Sequence, residues 1–298
     1  MNRVKDYIQL IKLSLSIMVV FSSVISYLLA PKVVAHDWKM ILLLFAGGLL
    51  VTGSANAINQ VIEKDTDAVM KRTAKRPVAA GRMSSSEGLT FAIITGLLGV
   101  FILGYYFNWL SAGIAVLSLF LYAFIYTPLK KVSAVSVLVG AIPGALPCLI
   151  GWAAGNDELS TGGWVLFLLQ FMWQFPHFWA IAWISHNDYT KAGFKLLPSE
   201  LGPTKYTAIQ TIIWSLLLIP VTMLPYFIGM CSYDDVKGVI SIGLIILANV
   251  FMVYRCVILY FKMDSPAARK VLFRSYLYLP IVLLALLLSI VYLKISKY

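Results

Sequence analysis

Charge is scarce in this sequence. Aspartate, glutamate, lysine and arginine make up 12% of the 298 residues against 60% hydrophobic residues, which excludes a soluble globular domain. Mean hydropathy is +0.85. Cysteine is nearly missing as well: Cys148, Cys231 and Cys256 are isolated, odd in number and mostly inside apolar runs. They make neither a disulfide framework nor a metal cluster and read as packing residues. There is no long-period repeat, no low-complexity tract and no stretch for a soluble domain, so one transmembrane domain over residues 1–298 is expected. No small-residue cleavage pattern follows the first apolar run, and the leader with Asp6 lacks the acid-free, arginine-rich character of a transit peptide. That run is expected to remain as an anchor, in a bacterial plasma membrane.

Long apolar runs are what the chain has in abundance. They lie near 13–31, 40–60, 88–107, 111–127, 133–154, 163–185, 206–228, 238–261 and 275–295, each able to cross a hydrocarbon core of ~30 Å as a helix. The expected fold is all-α, a polytopic bundle of nine transmembrane helices with its N-terminus cytoplasmic. Loop charges agree with that orientation. All of the 24 basic residues except Lys32, Lys39, Lys237, Lys294 and Lys297 fall on the side then predicted to be inner. The net charge of +11 is therefore an orientation signal and not a nucleic-acid footprint. Pro143, Pro147, Pro176, Pro220, Pro225 and Pro280 inside the runs favour kinks, and kinked helices enclose a cavity, expected to open near the inner face.

Against this background residues 59–77 stand out, with three carboxylates and five cations after Asn59. At ~100° per residue, Asn59, Glu63 and Asp67 share one helix face, and Asp65 points elsewhere. An amide and two carboxylates at a span end form a docking face for a hard divalent cation such as magnesium, which takes oxygen ligands and phosphate together. Arg72 and Arg76 follow one turn apart, with forks suited to phosphate oxygens, and Pro77 ends the helix.

Three further groups bear on chemistry. Tyr126, Lys130 and Lys131 end the fourth run with a phenol and two ammonium groups, able to neutralise a leaving group. Asp188 and Lys191 echo Asp67 and Lys71, as if two charged loops faced each other across a cavity mouth. His177 sits in an aromatic sixth run beside Gln170 and Gln174, and reads as a satisfied core residue, a proton carrier or an axial ligand to haem iron. Phe167, Phe171, Phe175, Trp173, Phe178, Trp179 and Trp183 are packing or lipid-facing rings, or else line the cavity and shield an allylic cation.

Asn59-x-x-x-Glu63-x-Asp65-x-Asp67-x-x-Met70-x-Arg72-Thr73-x-x-Arg76-Pro77 resembles the UbiA-type superfamily of intramembrane prenyltransferases. With Tyr126-Thr127, Leu129-Lys130-Lys131, Pro176-His177-Phe178, Asp188-Tyr189 and Ala192-Gly193, the chain looks like its protohaem-farnesylating branch. The resemblance implies about nine helices, two acidic inner loops, and transfer of farnesyl from farnesyl diphosphate to a vinyl group of haem B, with addition of water to give haem O. It implies magnesium held by Asn59, Glu63, Asp67 and Asp188, with Lys130 also catalytic. Arg72, Arg76, Tyr126, Lys131 and Lys191 then bind diphosphate, and His177 is the candidate for orienting haem. The implied partners are both substrates, the bilayer, and a haem A synthase or terminal oxidase receiving the product. Two departures stand in the sequence: Glu63 occupies a position that is often aspartate, and the second loop has Asp188 as its one clear acid. The rival readings are the same machinery acting on a quinone-precursor aromatic ring, a transporter for an anionic substrate, and a haem-binding assembly factor without catalysis.

Overall fold

The computed structural model describes residues 3–199 and 201–296, all helices and connections with no strand among them. A short helix, α1 (Arg3–Leu10), meets α2 (Leu13–Leu29) at a bend of 46°. Next comes α3 (Trp38–Ile62), which after a break at Glu63 leads into the short α4 (Lys64–Val69). A span α5 (Ser85–Tyr106) is followed by α6 (Trp109–Phe120), which passes through a π-helical turn, Leu121–Tyr126, into α7 (Thr127–Leu129). Two more spans, α8 (Ser136–Asn156) and α9 (Thr161–Ile184), precede the short α10 (His186–Lys191). The chain finishes with α11 (Lys205–Phe227), α12 (Val236–Lys262) and α13 (Ser265–Ser296). Among the described residues eight helices are long and apolar enough to cross a bilayer, and nine spans result when α1 and α2 count as one. The chain is a multi-pass membrane protein, as its nine apolar runs indicate. Of the lysines expected on the outer side, Lys297 lies outside the described residues.

Helix starts follow local chemistry. Asp37, Ser84, Asn108 and Asp235 cap α3, α5, α6 and α12 with side-chain oxygens that accept from backbone N–H groups of the first turn. Glu87, three residues after Ser84, completes a Ser-x-x-Glu start.

Between helices the hydrophobic effect gives little in lipid, so close backbone approach and interhelical hydrogen bonds do the work. At the α2–α8 crossing a Cβ on Gly151 would land on the Ser23 carbonyl. The kinks are mended by neighbours: Pro147 has no N–H to give the Pro143 carbonyl, and Ser118 Oγ donates to it at 3.2 Å. Gln170 and Gln174 of α9 donate to the Gly144 and Ala141 carbonyls of α8 at 2.7 and 2.9 Å. These two glutamines form a polar seam between the two spans.

Candidate active site

The loop following α4 and the segment around α10 meet at one end of the bundle, and between them lies a cavity of about 170 Å³. Its walls come from the start of α2 with Lys12, residues 59–76, the π-helical turn with Lys130, the start of α8, α9 and residues 189–196.

The end of α3, the break at Glu63 and α4 supply the oxygen donors. Helical hydrogen bonding persists across the break at Glu63, whose N–H donates to the Asn59 carbonyl at 2.9 Å, while Asp67 N–H donates to the Glu63 carbonyl at 2.7 Å. The i, i+4, i+8 spacing is thus preserved in space: Asn59, Glu63 and Asp67 all line the cavity and all are buried. Asp65 is exposed and does not line it.

Each donor is held by a different cation. Lys12 Nζ donates to Asn59 Oδ1 at 3.1 Å, Lys130 Nζ to Glu63 Oε1 at 2.8 Å, and Arg76 Nη1 to both Asp67 oxygens at 2.8 and 2.6 Å. A buried carboxylate without such a partner would be strongly destabilising, so the pairs are what permit two acids inside the bundle. Asn59 is oriented by its other end, where Nδ2 donates to Thr127 Oγ1 at 3.4 Å. This turns the acceptor oxygen into the cavity.

Pro128 explains the π-helical turn. It cannot donate to the chain one turn back, and the helix widens so that Thr127 N–H reaches the Tyr122 carbonyl, joined there by Thr127 Oγ1 at 2.8 Å. The widening puts Tyr122 and Tyr126 side by side on the cavity wall, ring centroids 5.5 Å apart. Lys130 Nζ stands 4.6 Å from the Tyr126 ring centroid and 5.7 Å from that of Phe194. Tyr126 has room because Gly140 lies behind it: a Cβ there would sit 2.5 Å from two of its ring carbons.

The two charged loops do face each other. Arg72 Nη2 donates to Tyr189 Oη at 3.1 Å, Arg72 N–H donates to Asp188 Oδ2 at 3.4 Å, and Lys195 N–H donates to the Lys130 carbonyl at 2.8 Å. Arg72, Arg76, Tyr126 and Lys130 line the cavity with the three donors. Asp188 is at its edge through Arg72, and Lys131 and Lys191 are exposed and outside the lining.

His177 is also outside it. The imidazole is buried between α9 and α13, with Nδ1 2.8 Å from Ser275 Oγ and its ring stacked on Trp173 at 4.8 Å. Its neighbour Phe178 lines the cavity, unlike the other α9 aromatics singled out above: Phe175 and Trp179 pack on Trp214 of α11 instead. Among the polar and aromatic lining residues, Lys12, Tyr122 and Phe194 were not singled out by the sequence. Tyr122 was detectable one turn before Tyr126, and Lys12 as a lone charge flanked by apolar residues.

Together the lining sets three cations, Arg72, Arg76 and Lys130, against Glu63 and Asp67, with Lys12 beside them. The excess positive charge in a buried pocket selects for an anion. The profile of the UbiA prenyltransferase family matches residues 19–277. The chain belongs to that family. It is 40% identical to the protoheme IX farnesyltransferase of Cytophaga hutchinsonii over 98% of this chain and 99% of that one. It is 41% identical to the protein of the same name from Flavobacterium johnsoniae, over 92% and 90%. Among solved structures, a digeranylgeranylglyceryl phosphate synthase superposes with a TM-score of 0.77 at 20% identity, covering 98% of this chain and 100% of the other. A UbiA homologue from Archaeoglobus fulgidus bound to GPP and Mg2+ superposes at 0.71 and 14% identity, covering 94% and 99%. The UbiA fold therefore holds over nearly the whole chain.

Proposed function

We propose that this UbiA-family chain, acting as one prenyltransferase domain, transfers the farnesyl group of farnesyl diphosphate to a vinyl group of haem B, giving haem O. The observation that carries the reading is the convergence of Asn59, Glu63 and Asp67 on one cavity whose cations outnumber its acids. The names of the full-length relatives direct the choice of acceptor.

Magnesium fits the donor set. Among the described residues no three of His, Cys, Asp and Glu converge on a point, so the protein offers no closed cage. Two carboxylates and an amide oxygen, with Asp188 at the edge, leave coordination positions for water and phosphate, as this ion prefers. When bound it supplies Lewis-acid neutralisation of the diphosphate oxygens.

The chain's own residues do the rest. Arg72, Arg76 and Lys130 hold the diphosphate, Tyr126 positions Lys130, and the exposed Lys131 and Lys191 attract the anion to the mouth. The farnesyl C1–O bond breaks and its electron pair leaves on diphosphate. The vinyl π pair forms the new bond at C1, the resulting haem-side cation takes water, and a proton is lost to solvent. Stabilising the departing charge with preorganised cations is the main catalytic device. Phe178, Tyr122 and Phe194 exclude other water from the allylic cation. His177 is a positioning residue that fixes α9 beside Phe178. The charged loops lie on the cytoplasmic side of a bacterial plasma membrane, and the product passes to a haem A synthase or terminal oxidase.

The test is incubation of the purified chain with haem B and farnesyl diphosphate, with and without magnesium. Haem O and diphosphate are expected only with magnesium. Unchanged haem B overturns the reading, and prenylation of a hydroxybenzoate in its place assigns an aromatic acceptor.

A further inference from the structure

Lys12 occupies the break between α1 and α2 in the left-handed region, with φ 49° and ψ 56°. A residue with a Cβ is strained there, and such strain persists only where the surroundings over-determine it. They do so from two sides. From α3, Gln60 Nε2 donates to the Gln9 and Leu10 carbonyls, each at 2.9 Å, and Asn56 Nδ2 donates to the Ile11 carbonyl at 3.1 Å. From the loop before α5, Arg82 Nε donates to Asp6 Oδ1 at 2.8 Å, and in the first turn of α5 Glu87 accepts from Arg3 and Tyr7 at 2.8 and 2.9 Å.

The effect of this double anchorage is to aim one ammonium group into the cavity. Asn56, Asn59 and Gln60 lie on one stretch of α3, so the helix that grips the break also supplies Asn59 as the acceptor for Lys12 Nζ. Arg76 and Lys130 each meet a carboxylate at salt-bridge distance, whereas Lys12 Nζ rests on the neutral amide oxygen of Asn59, with Glu63 and Asp67 acting on it only from further off.

We propose that Lys12 is a diphosphate-binding residue: in the free chain it rests on Asn59 Oδ1, and it turns to an oxygen of the bound diphosphate, freeing Asn59 Oδ1 for another partner. Helix α1 is the strap that holds it in position. The inference rests on the prenyl-diphosphate reading of the same cavity.

Its test uses the full chain in detergent, with inorganic pyrophosphate and magnesium as the probe in a calorimetric titration. Lys12→Met removes the charge and keeps the length. Lys12→Gly removes it and also accommodates the positive φ, so it guards against a variant that merely fails to fold; thermal melting is read in parallel. The expected result is pyrophosphate binding at least tenfold weaker in both variants, with partial recovery in Lys12→Arg and a raised KM for farnesyl diphosphate but not for haem B. Pyrophosphate binding within twofold of the native chain in a folded Lys12→Gly overturns the assignment. If the native chain makes no haem O yet its pyrophosphate binding still depends on Lys12, the acceptor reading fails and the role of Lys12 stands.

Discussion

Lys130 Nζ and Glu63 Oε1 lie 2.8 Å apart with both side chains buried, tying the end of the fourth span to the end of α3 across the cavity. Removing one member of a buried pair leaves the other charge uncompensated, a cost of about 3–5 kcal/mol. Lys130→Met is therefore expected to melt at a lower temperature. It is also expected to lose roughly 10²–10³ in kcat, the scale of a deleted donor to developing negative charge. Diphosphate release measured beside a melting curve checks both. A stable variant with native turnover removes Lys130 from the chemistry.

Asp67 tests the proposed magnesium role more directly. Asparagine keeps the side chain's shape and one acceptor oxygen but removes the charge facing Arg76. Haem O formation in membranes carrying Asp67→Asn should fall below detection at any magnesium concentration. Full activity would refute the metal role.

Gly140 gives a steric prediction. Alanine there would collide with the Tyr126 ring, displacing the face against which Lys130 rests. A drop in kcat/KM of roughly tenfold is expected, about the energy of one desolvated cation–π contact. Gly113, with nothing within 4 Å of its Cβ direction, is the control, and its alanine variant should match the native rate. Equal rates for both variants would show that Tyr126 has no say in placing Lys130.

Periodicity and hydropathy made the spans and the α3 donor face legible, because apolar length and the helical repeat act locally: Asn59, Glu63 and Asp67 needed only their spacing. What lay beyond reach was set by contacts distant in sequence. Nothing near Lys12 announces that Gln60 and Arg82 will hold its backbone in a left-handed turn. Nor does the pair Lys130-Lys131 say which ammonium is buried; the π-helical turn decides that, and it arises from Pro128. The aromatic sixth span offers eight Phe and Trp rings by composition, and tertiary packing separates Phe178 on the cavity from Phe175 and Trp179 against α11 and Trp173 against α13.

His177 is where a motif-based expectation and the packing pull apart most. Its Nδ1 engages Ser275 Oγ, which itself donates to the Leu272 carbonyl, and Trp173 and Tyr276 cover the ring at 4.8 and 5.0 Å. His177→Ala removes a buried hydrogen-bonded group, worth about 1–3 kcal/mol of stability. It also loosens the α9–α13 contact next to Phe178. A positioning role predicts a raised KM for haem B with KM for farnesyl diphosphate unchanged, and partial rescue by His177→Gln, which retains a polar group for Ser275. A direct iron ligand would instead produce a shift in the Soret band of bound haem when the histidine is removed. If His177→Ala changes the melting temperature and neither KM, the residue belongs to the helix packing alone.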